Sequence, residues 1–178
     1  MTTSEIHKIC KEHNIKYYTI NDDMSISVDG SVNLSYRNLK SIPIKFKEVG
    51  GDFSCSENQL TSLKYCPETV GGFYCSRNQL TSLKYCPETV GGDFYCNNNQ
   101  LTNFDGLPEF FEQDIHIGGN PVDEIYRLFK EDPRCIYWIR EFDVIQGDEV
   151  VRDRLEEVYH TLGISIPKDI KLKEYILV

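Results

Sequence analysis

Cysteine and histidine carry the most versatile chemistry in this chain, and their spacing decides which reactions are open to it. The cysteines stand at Cys10, Cys55, Cys66, Cys75, Cys86, Cys96 and Cys135. No two of them form a CxxC pair, the spacing that zinc sites and thiol oxidoreductases use. Cys55, Cys75 and Cys96 instead share one place in a recurring phrase, and Cys66 and Cys86 share another. Reduced thiols acting as small apolar side chains fit that periodicity. His7, His13, His116 and His160 lie far apart. His116 follows Asp114 by two residues on the same strand face. Cys96, its neighbour one repeat back, is expected to point into the core, which disfavours a Cys-His dyad. No phosphate-binding glycine loop or pair of catalytic carboxylates is evident, and the glycines of "VGGDF" recur as a structural turn would. The sequence therefore predicts a protein that is not an enzyme and uses neither metal nor cofactor.

The phrase that organises these residues is "NQLTSLKYCPETVGG", present at Asn58 to Gly72 and unchanged at Asn78 to Gly92. Aligned from Val70, "VGGFYCSRNQL" places apolar Val70, Phe73, Cys75 and Leu80 around Asn78. This is the LxxLxLxxNxL pattern of leucine-rich repeats with conservative replacements. "VGGDFSCSENQL" and "VGGDFYCNNNQL" carry one extra residue, and "FEQDIHIGGNPV" repeats that spacing through Phe111, Ile115, Ile117, Asn120 and Val122. "VDGSVNLSYRNL" fits through Val28, Val32, Leu34 and Leu39, with Arg37 where asparagine belongs. Five units result, spaced by 20 or 21 residues. In the second half of each unit, Leu60, Leu63, Cys66 and Val70 point inward, as do Leu101, Phe104, Leu107 and Phe111.

The elements follow from this grammar. Alternating apolar residues make a short strand with one face in the core. Asn58, Asn78, Asn99 and Asn120 form an internal ladder whose amides satisfy backbone groups where the chain leaves the strand. Gly-Gly permits a tight approach before the strand. Pro67, Pro87 and Pro108 stiffen an extended convex segment with few backbone hydrogen bonds. The expected fold class is α/β. It is a short leucine-rich-repeat solenoid with about five parallel strands on the concave face, extended convex segments, and caps at both ends because a single unit cannot bury its apolar face alone. Residues 1–27 form an N-terminal cap of helix plus strand, 28–122 the repeats, and 123–178 a C-terminal helical cap with an extended tail. In the first cap Ile6, Ile9, Cys10 and His13 have helical spacing, and "MSISVDGSVNLS" reads either as a hairpin around Asp29-Gly30 or as a regular unit. In the last, helices are expected near 122–131, 133–143 and 148–162, closed by Gly163. Tyr175, Ile176 and Leu177 are expected to pack.

The outward positions are the candidate binding residues. Asn33, Ser54, Tyr74, Tyr95 and His116 make one column, and Tyr36, Glu57, Arg77 and Asn98 a second. Exposed Tyr with Arg is the composition of interface hot spots, although Tyr74 and Tyr95 could also stack on each other to stabilise the sheet. Five strands at ~4.8 Å give a face of only a few hundred Å², against ~800 Å² per side for a stable complex. Either the caps take part, the chain forms a homo-oligomer, or the ligand is a peptide or smaller.

The net charge of -9, from 19 basic and 28 acidic side chains, disfavours nucleic acid and anionic membranes as partners. No apolar run approaches the roughly 18 residues of a membrane helix, and "MTTSEIHKICKEHN" lacks an apolar signal region, so a cytoplasmic location is expected.

The second half of each unit resembles the short LxxLPxLPxxL repeats of bacterial secreted effectors, with the first Pro usually missing. Some such effectors carry a ubiquitin-ligase domain with a Cys-x-Asp motif; here no Cys is followed by Asp at that place. Phrases such as "VGGDFYCNNNQLT" and the ending "EFDVIQGDEVVRDRLEEVYHTLGISIPKDIKL" resemble the leucine-rich-repeat proteins of large tailed bacteriophages across nearly the whole chain. The resemblance implies a viral protein made in a bacterial cytoplasm, and it supplies no catalytic residues. The functional expectation is a module that binds a host protein to block or redirect host defence or metabolism. Sequestration of a signalling nucleotide or other small molecule, and a structural role in the virion or tail, stand as alternatives.

Overall fold

In the computed structural model, residues 1–108, 115–130 and 132–178 are described. The chain opens with α1 (Thr3–Glu12), started by a capping box in which Thr2 accepts from the Glu5 amide and the Glu5 carboxylate accepts from the Thr2 amide. Ten strands follow: β1 (Tyr18–Ile20), β2 (Ile26–Val28), β3 (Val32–Asn33), β4 (Phe46–Val49), β5 (Phe53–Ser54), β6 (Thr69–Val70), β7 (Phe73–Tyr74), β8 (Thr89–Val90), β9 (Phe94–Tyr95) and β10 (Ile115–His116). The C-terminal part holds α2 (Asp123–Leu128), α3 (Arg134–Glu141), β11 (Ile145–Gln146), β12 (Glu149–Val150), α4 (Arg152–Leu162) and β13 (Ile176–Leu177).

These elements wind into a β-solenoid of about four turns. Each turn contributes one strand to each of two parallel sheets. The first sheet runs β1-β2-β4-β6-β8 and the second β3-β5-β7-β9-β10, with β1 the one antiparallel member. The corner between them is the Gly-Gly pair, and its tight approach is real: a Cβ on Gly50 would lie 2.5 Å from the Asp29 carbonyl oxygen. The interior is continuous. Phe46, Phe53, Phe73 and Phe94 form a spine of rings with successive centroids 5.0, 6.1 and 5.4 Å apart. Leu60, Leu63, Leu80, Leu83, Leu101 and Phe104 fill the other side, each at most 1% exposed. Burying a side chain of this size contributes about 1.5–3 kcal/mol. Leu39 and Cys86 are only partly covered. Phe111 and Asp114 lie outside the described residues.

The asparagine ladder has a specific wiring. Each amide nitrogen donates to a carbonyl of its own turn and to one of the preceding turn, while each amide oxygen accepts an N–H from the preceding turn. Asn78 donates to Cys75 and Cys55 at 3.1 and 3.0 Å and accepts from Leu60 at 2.9 Å. Asn99 repeats this with Cys96, Cys75 and Leu80, and Asn120 with Ile117, Cys96 and Leu101. The carbonyls of Cys55, Cys75 and Cys96 therefore each receive two asparagines. In the first turn Arg37 takes the asparagine place, and its guanidinium donates to His13 O and Asn33 O at 3.3 and 3.4 Å.

One expectation is corrected and one open alternative is decided. The segment read as convex and poor in hydrogen bonds is a second parallel sheet: Glu68 N–H donates to Lys47 O at 2.8 Å and Glu88 N–H to Glu68 O at 2.9 Å. Proline removes only its own donor, so a ladder can form immediately after Pro67 and Pro87. Nor does Asp29-Gly30 make a hairpin. The hairpin lies one strand earlier, pairing Tyr18 with Val28 and Ile20 with Ile26, and Val32–Asn33 joins β5 as a regular turn. The apolar alternation of 26–34 serves both arrangements, and stacking on β4 and β5 decides between them.

At the other end, Gly163 closes α4 in the left-handed region at φ 68°. The cap is tied to the last turn by Arg140, which donates to Leu107 O at 3.3 Å, and by the Tyr175 hydroxyl on Thr102 O. Tyr159 is buried against Phe129 with ring centroids 4.5 Å apart. In the tail Tyr175 is buried and Leu177 partly so, whereas Ile176 is 57% exposed, because β13 pairs with β12 at the edge of a small sheet.

Candidate functional site

The second sheet sets the outward side chains. Its register aligns Asn33 with Ser54, Ser54 with Tyr74, Tyr74 with Tyr95, and Tyr95 with His116. All five lie in one row because each follows an inward, buried residue of its strand. From Tyr74 onward the row is a stack of rings. Tyr74 and Tyr95 are 5.3 Å apart at 20°, and Tyr95 and His116 are 4.0 Å apart at 19°. Tyr74 and Tyr95 are half-buried and His116 is exposed. Burial, then the Asp52 and Asp93 carboxylates, push the Tyr74 phenol upward, so it is a neutral hydrogen-bonding group at ordinary pH.

Beside this row runs the second column. Tyr36, Glu57, Arg77 and Asn98 have φ of 58, 57, 53 and 56°, and Gly119 continues them at 74°. This left-handed residue ends each strand and turns the chain toward the ladder asparagine. Glu57 bridges its neighbours, 3.4 Å from the Tyr36 hydroxyl and 3.1 Å from the Arg77 guanidinium. Arg77 is 63% exposed, so this ion pair contributes little to stability and leaves the guanidinium available. Tyr36, at 78% exposure, is the most open aromatic on this face.

Sequence reasoning missed the wall that closes the face. A cleft of about 400 Å³ runs from Tyr95, His116 and Gly119 to Asp123, Tyr126 and Arg127 of α2. Asp123 is nearly buried and holds Arg127 at 2.8 Å, with the guanidinium mostly exposed on the rim. The i, i+3, i+4 spacing of these three residues directly after Asn120-Pro121 could have marked one helix face turned toward the last strand.

The chemistry of the other candidates is muted. All seven cysteines are free, and six are buried. Burial pushes the Cys66, Cys75, Cys86 and Cys96 thiols upward, the opposite of an activated nucleophile. Among the described residues no group of three or more His, Cys, Asp or Glu is placed to hold a metal ion, and no helix is long and apolar enough to cross a membrane. His7 is engaged with the Tyr18 hydroxyl at 2.6 Å, far in sequence from the outward row.

A capped parallel β-solenoid with an aromatic row on one outward face is the class that fold and site define. Comparison with family models, with curated proteins and with solved structures returns no match for this chain.

Proposed function

We propose that this is a protein-interaction module of the leucine-rich-repeat type, encoded by a large tailed bacteriophage and acting in the cytoplasm of the infected bacterium. It binds a host protein through the outward face of the second sheet and the adjoining caps. The observation that carries the reading is the unbroken row Tyr74, Tyr95 and His116, ring on ring and open to solvent along one side. Ring stacking between neighbouring strands contributes about 0.5–1.5 kcal/mol, so it also supports the sheet. It does not account for the flanking Arg77 and Tyr36, which stand exposed beside the rings. Aromatics bordered by an available guanidinium are the composition from which interface hot spots are made. The viral origin rests on the repeat phrases and the helical ending quoted above.

The test is affinity capture from host lysate with the wild-type chain and with Tyr74→Ala/Tyr95→Ala, both shown to be folded by circular dichroism. A partner held by the wild type should be lost, or weakened at least tenfold, in the double variant. Retention of the same partner by the folded variant would refute the face as the binding surface.

A further inference from the structure

The last turn breaks the outward pattern of the repeat. Where earlier turns carry Ser56-Glu57, Ser76-Arg77 and Asn97-Asn98 after the strand, the last carries Gly118-Gly119. Two side chains are missing from the face here, and the cleft against α2 takes their place. A Cβ added to Gly118 would meet nothing within 4 Å, so this space is open rather than filled from the cap. The ring stack stops at the same point. Tyr95 covers one face of the His116 ring at 4.0 Å, and the exposed His116 side chain has no other ring contact, hydrogen bond or ion pair among the described residues. A planar group that enters the cleft can continue the stack on the uncovered face.

The α2 wall of the cleft supplies two charges. Asp123 Oδ2 holds Arg127 Nη2 at 2.8 Å, with the carboxylate side chain 12% exposed and the guanidinium side chain 64%. Neither side chain has a second hydrogen-bond or ionic partner among the described residues. Both keep unused capacity, as acceptor on the carboxylate and as donor on the guanidinium. A sheltered carboxylate gains most from a cationic donor, and an open guanidinium from a planar anion. Because the two charges sit side by side, a ligand that satisfies both must carry a cation and an anion equally close together. An α-amino acid does so: its ammonium nitrogen and carboxylate carbon are about 2.5 Å apart across Cα. A nucleotide does not, because base and sugar stand between its donor edge and its phosphate. The amino acid is also neutral overall, as the Asp123–Arg127 pair is, so no charge is left uncompensated in the cleft.

We propose that this cleft is a binding site for a free aromatic amino acid, with its ring stacked on His116, its ammonium on Asp123 and its carboxylate on Arg127. The exposed ring face selects the side chain, and the ion pair selects the zwitterionic end. A cleft of about 400 Å³ falls within the roughly 300–1,000 Å³ of ligand sites. Tyr74 and Tyr36 lie outside the cleft lining, so the site is independent of host-protein binding along the rest of the face.

The probe is L-tryptophan, titrated into isotope-labelled full-length protein and followed by amide resonances. Saturable shifts at His116, Gly118 and Arg127 are expected, with Kd about 1 mM or tighter. N-acetyl-L-tryptophan and L-tryptophanamide each lack one of the two charges, and each should bind about tenfold more weakly. L-Alanine, which lacks the ring, should also bind about tenfold more weakly. On the protein, His116→Ala should weaken tryptophan binding about three- to tenfold. Arg127→Gln should weaken it about tenfold. Gly118→Leu fills the cleft from a position with room for a side chain and should abolish the shifts, whereas Tyr74→Ala should change Kd less than about twofold. The proposal is overturned if tryptophan leaves these amides unmoved at about 10 mM, or if Gly118→Leu, shown to be folded by circular dichroism, binds as the wild type does. It also falls if either blocked derivative binds as tightly as tryptophan, since the site would then read a chain end or a bare ring instead of a free amino acid.

Discussion

Replacing one ladder asparagine by alanine should cost a different amount at each position, because the ladder shares its carbonyls. In Asn78→Ala the carbonyls of Cys55 and Cys75 keep a donor each, from Asn58 and Asn99. Only the Leu60 N–H, on a fully buried residue, is orphaned. One unsatisfied buried donor costs about 1–3 kcal/mol, so about 2 kcal/mol is expected. Asn58→Ala orphans more: Leu39 N–H and Leu34 O both lose their partner, while the N–H of exposed Arg37 can turn to water. That predicts about 4 kcal/mol. Asn120→Ala also orphans two groups, Leu101 N–H and Ile117 O, both on buried residues, so it should cost at least as much as Asn58→Ala, whose Leu39 is only partly covered. The assay is urea denaturation, with an unchanged slope as the condition for comparing midpoints. Lys84→Ala, whose ammonium sits 5.2 Å over the exposed Tyr85 ring, is the control and should cost less than about 0.5 kcal/mol. Equal losses at Asn58 and Asn78, or a loss at Asn78 no larger than at Lys84, would refute the shared wiring.

Three further outcomes follow from local conformation and titration. Tyr85 occupies the left-handed turn position, φ 70°, that Gly106 fills in the next unit at 84°; Tyr85→Gly should therefore be more stable than Tyr85→Ala by about 1 kcal/mol in the same denaturation assay. Burial raises the Cys66, Cys75, Cys86 and Cys96 thiols, so the folded state holds their protons more tightly than the unfolded state. Their contribution to stability is intact below the ordinary thiol value of about 8.5 and falls as pH rises above it. The urea midpoint should drop between neutral and alkaline pH, and a thiol reagent should label the native chain slowly and the denatured chain fully. His13, whose Nδ1 is buried without a partner, is held below its ordinary value by burial and by Arg37, against the pull of Glu12. Its contribution is present above about pH 6.5 and is lost as pH falls; His13→Gln should flatten the midpoint-versus-pH curve just below that value.

The second sheet's strand positions were legible in the sequence because three signals agree there: an apolar pair around an outward residue, an asparagine at fixed distance, and a repeat that fixes the register. The outward row from Asn33 to His116 came out of that register. The first sheet was not legible. Thr69–Val70 and Thr89–Val90 are two-residue strands, too short to show a period of two, and the prolines beside them suggested an unpaired segment. The left-handed column was hidden because Tyr36, Glu57 and Arg77 are residue types that rarely adopt it, and only Asn98 and Gly119 in the last two turns hint at the requirement. The cleft was hidden for another reason: it exists only where α2 packs against the last turn, and the repeat pattern stops there.

The wiring of the asparagines also has a mechanical side. Each amide rivets its own turn to the one before, so a pull on the chain ends loads the rivets in series. Failure should come one coil at a time, starting where a single asparagine holds a carbonyl alone, as Asn120 does at Ile117 O. Each event frees the 20 or 21 residues that separate matching strands, about 70 Å of contour, from a stack that rises only ~4.8 Å per turn. The molecule is in that sense a spool, with its thread stored almost entirely at right angles to its axis.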